Sequence, residues 1–516
     1  MNIDTRKTFA ALLLVPSAIL SLVFWTRPDF LISSDTLFPV AFVWDVLHHA
    51  SAWSDFQQPR VPHYLPDLLV IGLVQLVTGS WRLALAAWIF VLIGWLSAIA
   101  VWITSRLAPG AIRTAAAAAM LLLTLVLAGG ALDQSVHAHA GWSIGDYESP
   151  FLMLLLPYTH GGPFLMAMTA AILASRAVAQ ADAPARRMAV LAAALALVSC
   201  AATVSDLLYV TALLIPLTVA VLAGLHVRAI GGRAAAWFLP AAWGGGAAGW
   251  ALFQMLDRQP LPTPTSRYDY ERSILRFLAD LGHHPAMLAL LGGLALAVAL
   301  DVRRRGWRGW LASFWSVFAV ASALTSLAVT ALLYADYMSY RYALPFIWLT
   351  PILLAATLSK APLRHPWLIE VPLAAILAAL IVTCLATGLQ APKLFRWSTP
   401  LASCLQKTGL RAGLAEYWLA GKTTAASDWR LQVEPITERG AVFVWGNDRN
   451  WFTHDIHDGS QPPPYRFIVM DRLPADRIAA AYGQPDRTIM CGALPVWIFD
   501  DSGRVFRNLM RVPTKP

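Results

Sequence analysis

Long apolar runs are the feature that most restricts how this chain can fold. Eleven runs are each close to the length that a helix needs to cross a bilayer, about 20 residues. The sequence therefore predicts a polytopic α-helical membrane protein with about eleven transmembrane helices. The predicted spans are residues 9–25, 82–104, 114–132, 151–175, 188–204, 207–225, 234–256, 285–302, 309–333, 342–359 and 367–388.

Positive residues in the gaps predict the orientation of these spans. Every second gap is short and basic, as with Arg6 and Lys7 before the first run and the arginines at 303–305 before the ninth. Because cytoplasmic loops carry an excess of Lys and Arg, these gaps are predicted to face the cytoplasm. An odd number of spans then places the chain beyond residue 390 on the opposite side. The excess of 39 Lys and Arg over 30 Asp and Glu needs no nucleic acid partner, since loops beneath an anionic leaflet account for it.

The composition changes near residue 390 and predicts two domains. Residues 1–390 form the predicted transmembrane domain, whose first outer loop is 26–81, and residues 391–516 form a small α/β domain. Cys404 and Cys491 lie in the second domain, where they either form a disulfide or remain two separate buried thiols. Within it, the pattern predicts helices at 411–420 and 475–482 and strands at 441–445, 466–470, 488–491 and 496–499.

The first outer loop holds the most informative polar residues. Ser34 and Asp35 precede an apolar run at 37–47, which predicts a helix lying in the membrane interface. A second apolar run follows Asp67 and is too short to span comfortably, so we predict a re-entrant or surface helix there. Asp35 has two interpretations: it caps the helix that follows, or it is a reactive acid on the outer face.

Other polar residues are predicted to face the same outer side from several spans. His160 lies in Pro-Tyr-Thr-His-Gly-Gly-Pro, which should break a helix, as is tolerated where backbone lines a wet cavity. Asp206 occupies a tight turn, where it either caps the next helix or faces a site. Arg341 either extends to the lipid headgroups or binds a ligand. The full set of candidates is Asp146, His160, Asp206, Arg267, Arg272, Arg341 and Tyr342.

This layout resembles the GT-C glycosyltransferases, membrane enzymes that take sugars from polyprenyl-phosphate carriers on the non-cytoplasmic face. The shared features are one span, an acidic first outer loop with interfacial helices, a bundle of further spans and a C-terminal outer α/β domain. The residues that carry the resemblance are Ser34 and Asp35, Pro66 and Asp67, the segment 158–162, and Arg341 with Tyr342.

The resemblance implies a catalytic residue. Family members typically place a catalytic Asp in the first outer loop, and Asp35 corresponds to it as the general base that takes a proton from the acceptor hydroxyl. Direct displacement would invert the anomeric carbon. Thr36 follows Asp35 where many members have a second carboxylate, which argues against a bound divalent metal. No cofactor is therefore assigned, and a divalent metal, Mg²⁺ or Mn²⁺, is the alternative.

The resemblance also implies how the donor is bound. Arginines would stabilise the departing phosphate, with Arg341 the first candidate. Asp146 or Asp206 would stabilise positive charge on the sugar. The predicted substrate-binding residues are Arg341, Asp146, His160, Asp206, Arg267, Arg272 and Tyr342.

The implied partners are a polyprenyl-phosphate-linked sugar, a glycan or lipid acceptor, and membrane lipids. The implied location is a bacterial inner membrane, with a cytoplasmic N-terminus and a periplasmic C-terminal domain. The alternatives are a transporter or flippase of lipid-linked sugars, and a glycan polymerase or ligase. A cavity open only to the outside would favour the transferase, whereas access from both sides would favour the transporter.

Overall fold

A computed structural model describes most of the chain, and the described part is mainly helical. Five of its helices are long and apolar enough to cross a membrane: Trp81–Leu107, Gly161–Val178, Ala185–Ser205, Phe314–Tyr334 and Tyr340–Leu358. A small sheet domain follows near the C-terminus. The coarse fold prediction is therefore confirmed. The described residues are 34–49, 55–57, 61–107, 160–179, 183–256, 269–282, 285–337, 340–358, 398–459 and 462–512.

The predicted number of eleven spans is not established by the structure. The five candidate spans correspond to the predicted runs 82–104, 151–175, 188–204, 309–333 and 342–359. The runs at 207–225, 234–256 and 285–302 are helical but are not among those five. The runs at 9–25, 114–132 and 367–388 lie outside the described residues.

The described residues contain fifteen α-helices. They are α1 Ser34–His49, α2 Leu69–Thr78, α3 Trp81–Leu107, α4 Gly161–Val178, α5 Ala185–Ser205, α6 Ile215–His226, α7 Gly232–Leu256, α8 Tyr270–Leu281, α9 Pro285–Leu311, α10 Phe314–Tyr337, α11 Leu344–Leu358, α12 Ser398–Lys407, α13 Tyr417–Ala426, α14 Ala475–Tyr482 and α15 Ser502–Leu509. Short π-helical turns, Tyr64–Leu68 and Val210–Leu214, precede α2 and α6, and a 3₁₀ turn, Tyr340–Ala343, precedes α11.

The chain forms two compact units. The first contains Val61–Leu69 and the described residues of Ala86–Gly388. The second contains the described residues of Val23–Arg60, Val70–Leu85 and Leu389–Pro516. Helix α1 of the first outer loop thus belongs to the same unit as the C-terminal domain, although the sequence grouped it with the transmembrane domain.

Small residues allow α5 and α7 of the first unit to pack closely. A Cβ added at Gly245 would overlap the carbonyl oxygen of Ala196, and one at Gly249 would overlap that of Cys200. Without side chains at these two positions the helix backbones approach each other directly, a common way of joining apolar helices. The packing holds the C-terminal end of α5 in place, and Asp206 follows that end immediately.

The second unit contains a five-stranded mixed sheet with helices on both faces. Its strands are β1 Ala412–Glu416, β2 Gln432–Ile436, β3 Tyr465–Val469, β4 Arg487–Cys491 and β5 Leu494–Ile498, in the order β2-β1-β3-β5-β4. The pairs β1·β2 and β1·β3 are parallel, and β3·β5 and β4·β5 are antiparallel. Leu405 and Leu419 of α12 and α13 pack with Phe467 on one face, while Ile478 and Leu509 of α14 and α15 pack on the other.

Three of the four predicted strands are confirmed, but two predictions for this domain were wrong. Residues 441–445 form only one bridge, between Val442 and Ile436, and are not a strand. The predicted helix at 411–420 is strand β1 followed by the start of α13. Because β1 is a central parallel strand buried on both faces, its apolar run resembles a buried helix in sequence.

The strand β2 was not predicted from sequence. Its buried residues include Gln432 and Glu434, polar side chains that do not indicate a core strand. Both are satisfied by local partners: the Gln432 amide donates to the Trp451 carbonyl at 2.5 Å, and Asn447 donates to Glu434 at 2.6 Å. Buried polar groups with hydrogen-bond partners are compatible with a core, but sequence periodicity does not show such partners.

Candidate functional site

His160 begins the site in the first unit, at the start of helix α4. It adopts a left-handed backbone with φ 71°, and α4 begins at the next residue, Gly161. The predicted break in this apolar run is therefore present at His160. Residues 151–159 of the run lie outside the described residues. The break places the His160 side chain at a helix end, where it can contact neighbouring segments instead of continuing the helix.

Asp206 meets His160 from the end of helix α5. The Nδ1 atom of His160 lies 2.5 Å from Oδ2 of Asp206, and both residues are buried. The other carboxylate oxygen, Oδ1, accepts the backbone N–H of Leu208 at 2.8 Å. Asp206 therefore caps the next turn, as one sequence interpretation held, and binds His160 at the same time.

The Asp206 carboxyl is ionised in this environment. Burial by itself would raise the pKa of Asp206, but the charge of His160 and its hydrogen bond lower the pKa below the ordinary value. Because an ionised carboxylate only accepts hydrogen bonds, Nδ1 of His160 is the donor. The Nε2 atom then accepts a proton when the ring is neutral and donates when the ring is charged.

Residues 61–69 of the predicted first outer loop pack against Ser205, next to Asp206. The backbone N–H of His63 donates to the Ser205 carbonyl at 3.1 Å, and the N–H of Leu65 donates to the Ser205 hydroxyl at 2.9 Å. The rings of His63 and His160 are 5.3 Å apart. Burial lowers the pKa of His63 to about 3. The negative charge of Asp206 raises this pKa, whereas the positive charges of His160 and Arg341 lower it further. His63 is therefore a neutral member of the site.

Asp67 lies against the first turn of α4. A Cβ on Gly162 would overlap the Asp67 carboxylate and would lie 2.9 Å from Cδ of Pro66. Only glycine therefore permits this approach. The positive end of the α4 helix dipole favours a carboxylate at this position. Asp67 is fully buried; the sequence identified it as a feature of the loop but not as a site residue.

A small cleft lies beside the histidine and aspartate. Arg341 and Tyr342 lie on its wall, and the His160 and Tyr342 rings are 5.2 Å apart. The Cζ atom of Arg341 is 5.9 Å from the Tyr342 ring centre. Apolar side chains such as Phe164 complete the lining. The cleft therefore combines a guanidinium, an imidazole and apolar walls, a combination suited to an anionic group on an apolar carrier.

Hydroxyl groups of α10 donate hydrogen bonds to backbone carbonyls of residues that line the cleft. Ser322 donates to the carbonyl of Ala212 at 3.0 Å, and Thr325 donates to that of Thr211 at 2.8 Å. Both carbonyls belong to the π-helical turn Val210–Leu214, whose irregular backbone leaves such groups in need of donors. Thr211 and Ala212 also line the cleft. The irregular turn is thus held in shape by α10.

The predicted site residues separate into three groups. His160, Asp206, Arg341 and Tyr342 come together in the cleft. Arg272 instead lies exposed on α8, where its backbone N–H donates to Asp269 at 3.0 Å. Asp146 and Arg267 lie outside the described residues, as does the side chain of Asp35, which occupies the first turn of α1. The roles of all these residues stay predictions.

The site residues that sequence reasoning missed are His63, Asp67 and Ser205. The run Pro62-His63-Tyr64-Leu65-Pro66-Asp67 gave a signal, because two prolines exclude regular helix around two ionisable groups. For Ser205 the sequence gave no signal other than its position beside Asp206. Within the described residues, no group of three or more His, Cys, Asp or Glu side chains could hold a metal ion.

No known family model matches the chain, and no curated protein is similar to it in sequence. The site is therefore interpreted from its own chemistry, and membership of the GT-C group is a proposal.

Proposed function

We propose that the chain is an integral-membrane glycosyltransferase that moves a sugar from a polyprenyl-phosphate-linked donor to a glycan or lipid acceptor. One observation carries this proposal: His160, Asp206, Arg341 and Tyr342 converge in one cleft at the ends of apolar helices. A phosphate on an isoprenoid tail needs a cation beside apolar surface, and the cleft offers both. Ionisable groups at helix ends also favour a reaction at one membrane face over transport through the midplane.

The residues then have separate roles in sugar transfer. Arg341 stabilises the departing phosphate, and His160 supplies a second donor to it. Both oxygens of Asp206 are already hydrogen-bonded, so Asp206 orients His160 instead of contacting the sugar. This differs from the role suggested by sequence. Asp35 is the proposed general base, which takes the acceptor proton as the anomeric carbon is attacked and inverted.

The extracytoplasmic face of a bacterial inner membrane is the proposed location. Cys404 and Cys491 form a disulfide, and such bonds persist mainly in oxidising compartments. Helix α1 contacts the C-terminal domain directly, since the Ser34 hydroxyl donates to the Tyr417 carbonyl at 2.6 Å. Asp35 and the disulfide are therefore on the same side of any membrane that the chain spans.

Asp35→Asn tests the proposal in the full-length protein. In detergent with added membrane lipids and glycan fragments as acceptors, wild-type protein should transfer the sugar from at least one of a panel of synthetic undecaprenyl-phosphate sugars and release undecaprenyl phosphate. The variant should lose this activity by about 100-fold or more while reaching normal amounts in the membrane. Asp500→Asn, an exposed carboxylate of the second unit, is the control and should keep full activity. Full activity in Asp35→Asn, or no donor consumption by the wild type, would refute the proposal.

A further inference from the structure

The N-terminal end of helix α1 is hydrogen-bonded to the C-terminal domain. The hydroxyl of Ser34 donates to the backbone carbonyl of Tyr417 at 2.6 Å. Tyr417 is the first residue of α13, directly after strand β1. Since Ser34 precedes Asp35, this hydrogen bond lies one residue from the proposed general base. The start of α1 is therefore positioned by the centre of the sheet domain.

Aromatic packing and backbone pairing hold the middle of the helix. The ring of Phe56 lies 6.1 Å from that of Phe38 and 5.0 Å from that of Phe42, edge to face in both pairs. The adjoining backbone pairs with the sheet domain: Gln57 N–H donates to the Asn447 carbonyl, and Gly446 N–H donates to the Gln57 carbonyl, both at 3.1 Å. These contacts join two segments that are almost 400 residues apart in sequence.

A buried hydrogen-bond network holds the C-terminal end of α1. The indole N–H of Trp451 donates to Oδ1 of Asp45 at 2.7 Å, and the same oxygen is 2.7 Å from Nδ1 of His49. The Nε2 atom of His49 donates to the carbonyl of Ile456 at 2.7 Å, because a carbonyl can only accept. Asp45 has no exposed surface, so loss of either Trp451 or His49 would leave a buried carboxyl group with one fewer partner.

We propose that the C-terminal domain positions Asp35 for catalysis by holding both ends of α1, with Ser34 and Trp451 as the principal positioning residues. The inference rests on the proposed function, since it assigns a purpose to the geometry around Asp35. A helix tied at both ends cannot rotate or slide, and a displacement of about 1 Å at a catalytic group is enough to slow a reaction by about 100-fold. The C-terminal domain, which has no proposed catalytic residue of its own, thus contributes to the rate.

The test compares Ser34→Ala and Trp451→Phe with the full-length wild type, using undecaprenyl-phosphate sugar consumption per folded molecule. Each variant should lower kcat by about 10-fold or more and leave the donor KM within about twofold, because donor contacts are unchanged. Ser34→Thr keeps the hydroxyl and should restore kcat. His48→Gln is the matched control, since the exposed His48 ring hydrogen-bonds to the Trp44 carbonyl of its own helix, 2.7 Å away, and among the described residues it makes no hydrogen bond to the sheet domain.

Hydrogen exchange gives a readout that does not depend on activity. In Trp451→Phe, the amides of α1 should exchange faster while those of strand β1 stay protected. Wild-type kcat in both variants, together with an inactive Asp35→Asn, would overturn the positioning role and leave the proposed function intact. An active Asp35→Asn would instead remove the proposed function itself. Activity that falls only in proportion to the amount of folded protein would also overturn the positioning role.

Discussion

The Nδ1 atom of His160 lies 2.5 Å from Oδ2 of Asp206, which joins the start of α4 to the end of α5 across 46 residues of sequence. The contact is buried, and Asp206 is further held by the Leu208 N–H. A histidine held in this way has a fixed tautomer and a fixed ring orientation. The pair therefore determines what His160 can present to a ligand in the cleft.

Asp206→Asn should slow donor consumption by about 100-fold, because the amide no longer fixes the tautomer and orientation of the His160 ring. The donor KM should also rise, since a second hydrogen-bond donor to the phosphate is displaced. Steady-state kinetics with an undecaprenyl-phosphate sugar would measure both values. Asp500→Asn, exposed and remote in sequence, serves as the control. Unchanged kinetics in Asp206→Asn would show that the pair is only structural.

Gly162→Ala should displace the loop that carries Asp67. A Cβ at residue 162 overlaps the Asp67 carboxylate, and relieving such an overlap costs about 1–3 kcal/mol. Thermal unfolding in detergent and hydrogen exchange at residues 61–69 would measure the effect. Gly244→Ala is the matched control in a helix, because a Cβ there meets nothing within 4 Å. That control should be neutral or stabilising by about 0.5–1 kcal/mol. Equal stability of the two variants would contradict the packing.

Glu434 should make the C-terminal domain less stable at high pH. Burial raises the pKa of Glu434 from 4.5 to about 8; hydrogen bonds from Asn447 and Gln432 oppose the rise, and nearby Asp448 and Asp45 add to it. The folded state thus binds this proton more tightly than the unfolded state. Its stabilising contribution is complete below about pH 4.5 and is lost as the pH rises toward about 8.

Glu434→Gln tests this dependence. Unfolding followed by tryptophan fluorescence between pH 5 and 9 should show a flatter stability profile in the variant. Each tenfold change in the acid constant corresponds to about 1.4 kcal/mol, so the change across the range amounts to a few kcal/mol. Glu438→Gln, with 69% of its side chain exposed, should leave the profile as in the wild type. If the stability of Glu434→Gln depends on pH as steeply as that of the wild type, another group is responsible for the pH dependence.

Reduction of the Cys404–Cys491 disulfide should destabilise the C-terminal domain by about 2–4 kcal/mol. The bond links α12 to the end of β4, with Cα atoms 5.7 Å apart and a sequence separation of 87 between the cysteines. Thermal unfolding with and without a reductant would give the difference, and Cys404→Ala/Cys491→Ala should reproduce it. Cys200→Ala should not, because Cys200 is a free thiol. Thiol labelling of Cys404 or Cys491 before reduction would argue against the bond.

Much of the local structure could be predicted because it depends on nearby residues. The apolar runs at 37–47 and after Asp67 became helices α1 and α2, and the helix break occurs at His160 as its glycines and prolines suggested. The four residues of the cleft were also among the candidates, since ionisable groups beside apolar spans are conspicuous. Their mutual contacts could not be predicted, because they come from segments up to 180 residues apart.

The failures have a physical cause as well. Strand β1 was predicted as a helix, because a strand buried on both faces lacks the alternation that identifies strands. Strand β2 was missed, because Gln432 and Glu434 are buried with partners supplied by the loop between β2 and β3. In both cases the burial that stabilises the strand comes from the rest of the domain.

The amino-acid sequence alone determined which segments are apolar enough to enter a membrane, where one of them must break, and that Cys404 and Cys491 share a domain. The first two properties depend on residues within one or two helical turns of each other, and the third depends on the change of composition near residue 390. The tertiary structure decided that the two cysteines pair, that α1 belongs with the C-terminal sheet, and that His63 and Asp67 meet His160 and Asp206. Those contacts arise because buried polar groups must find partners wherever packing places them.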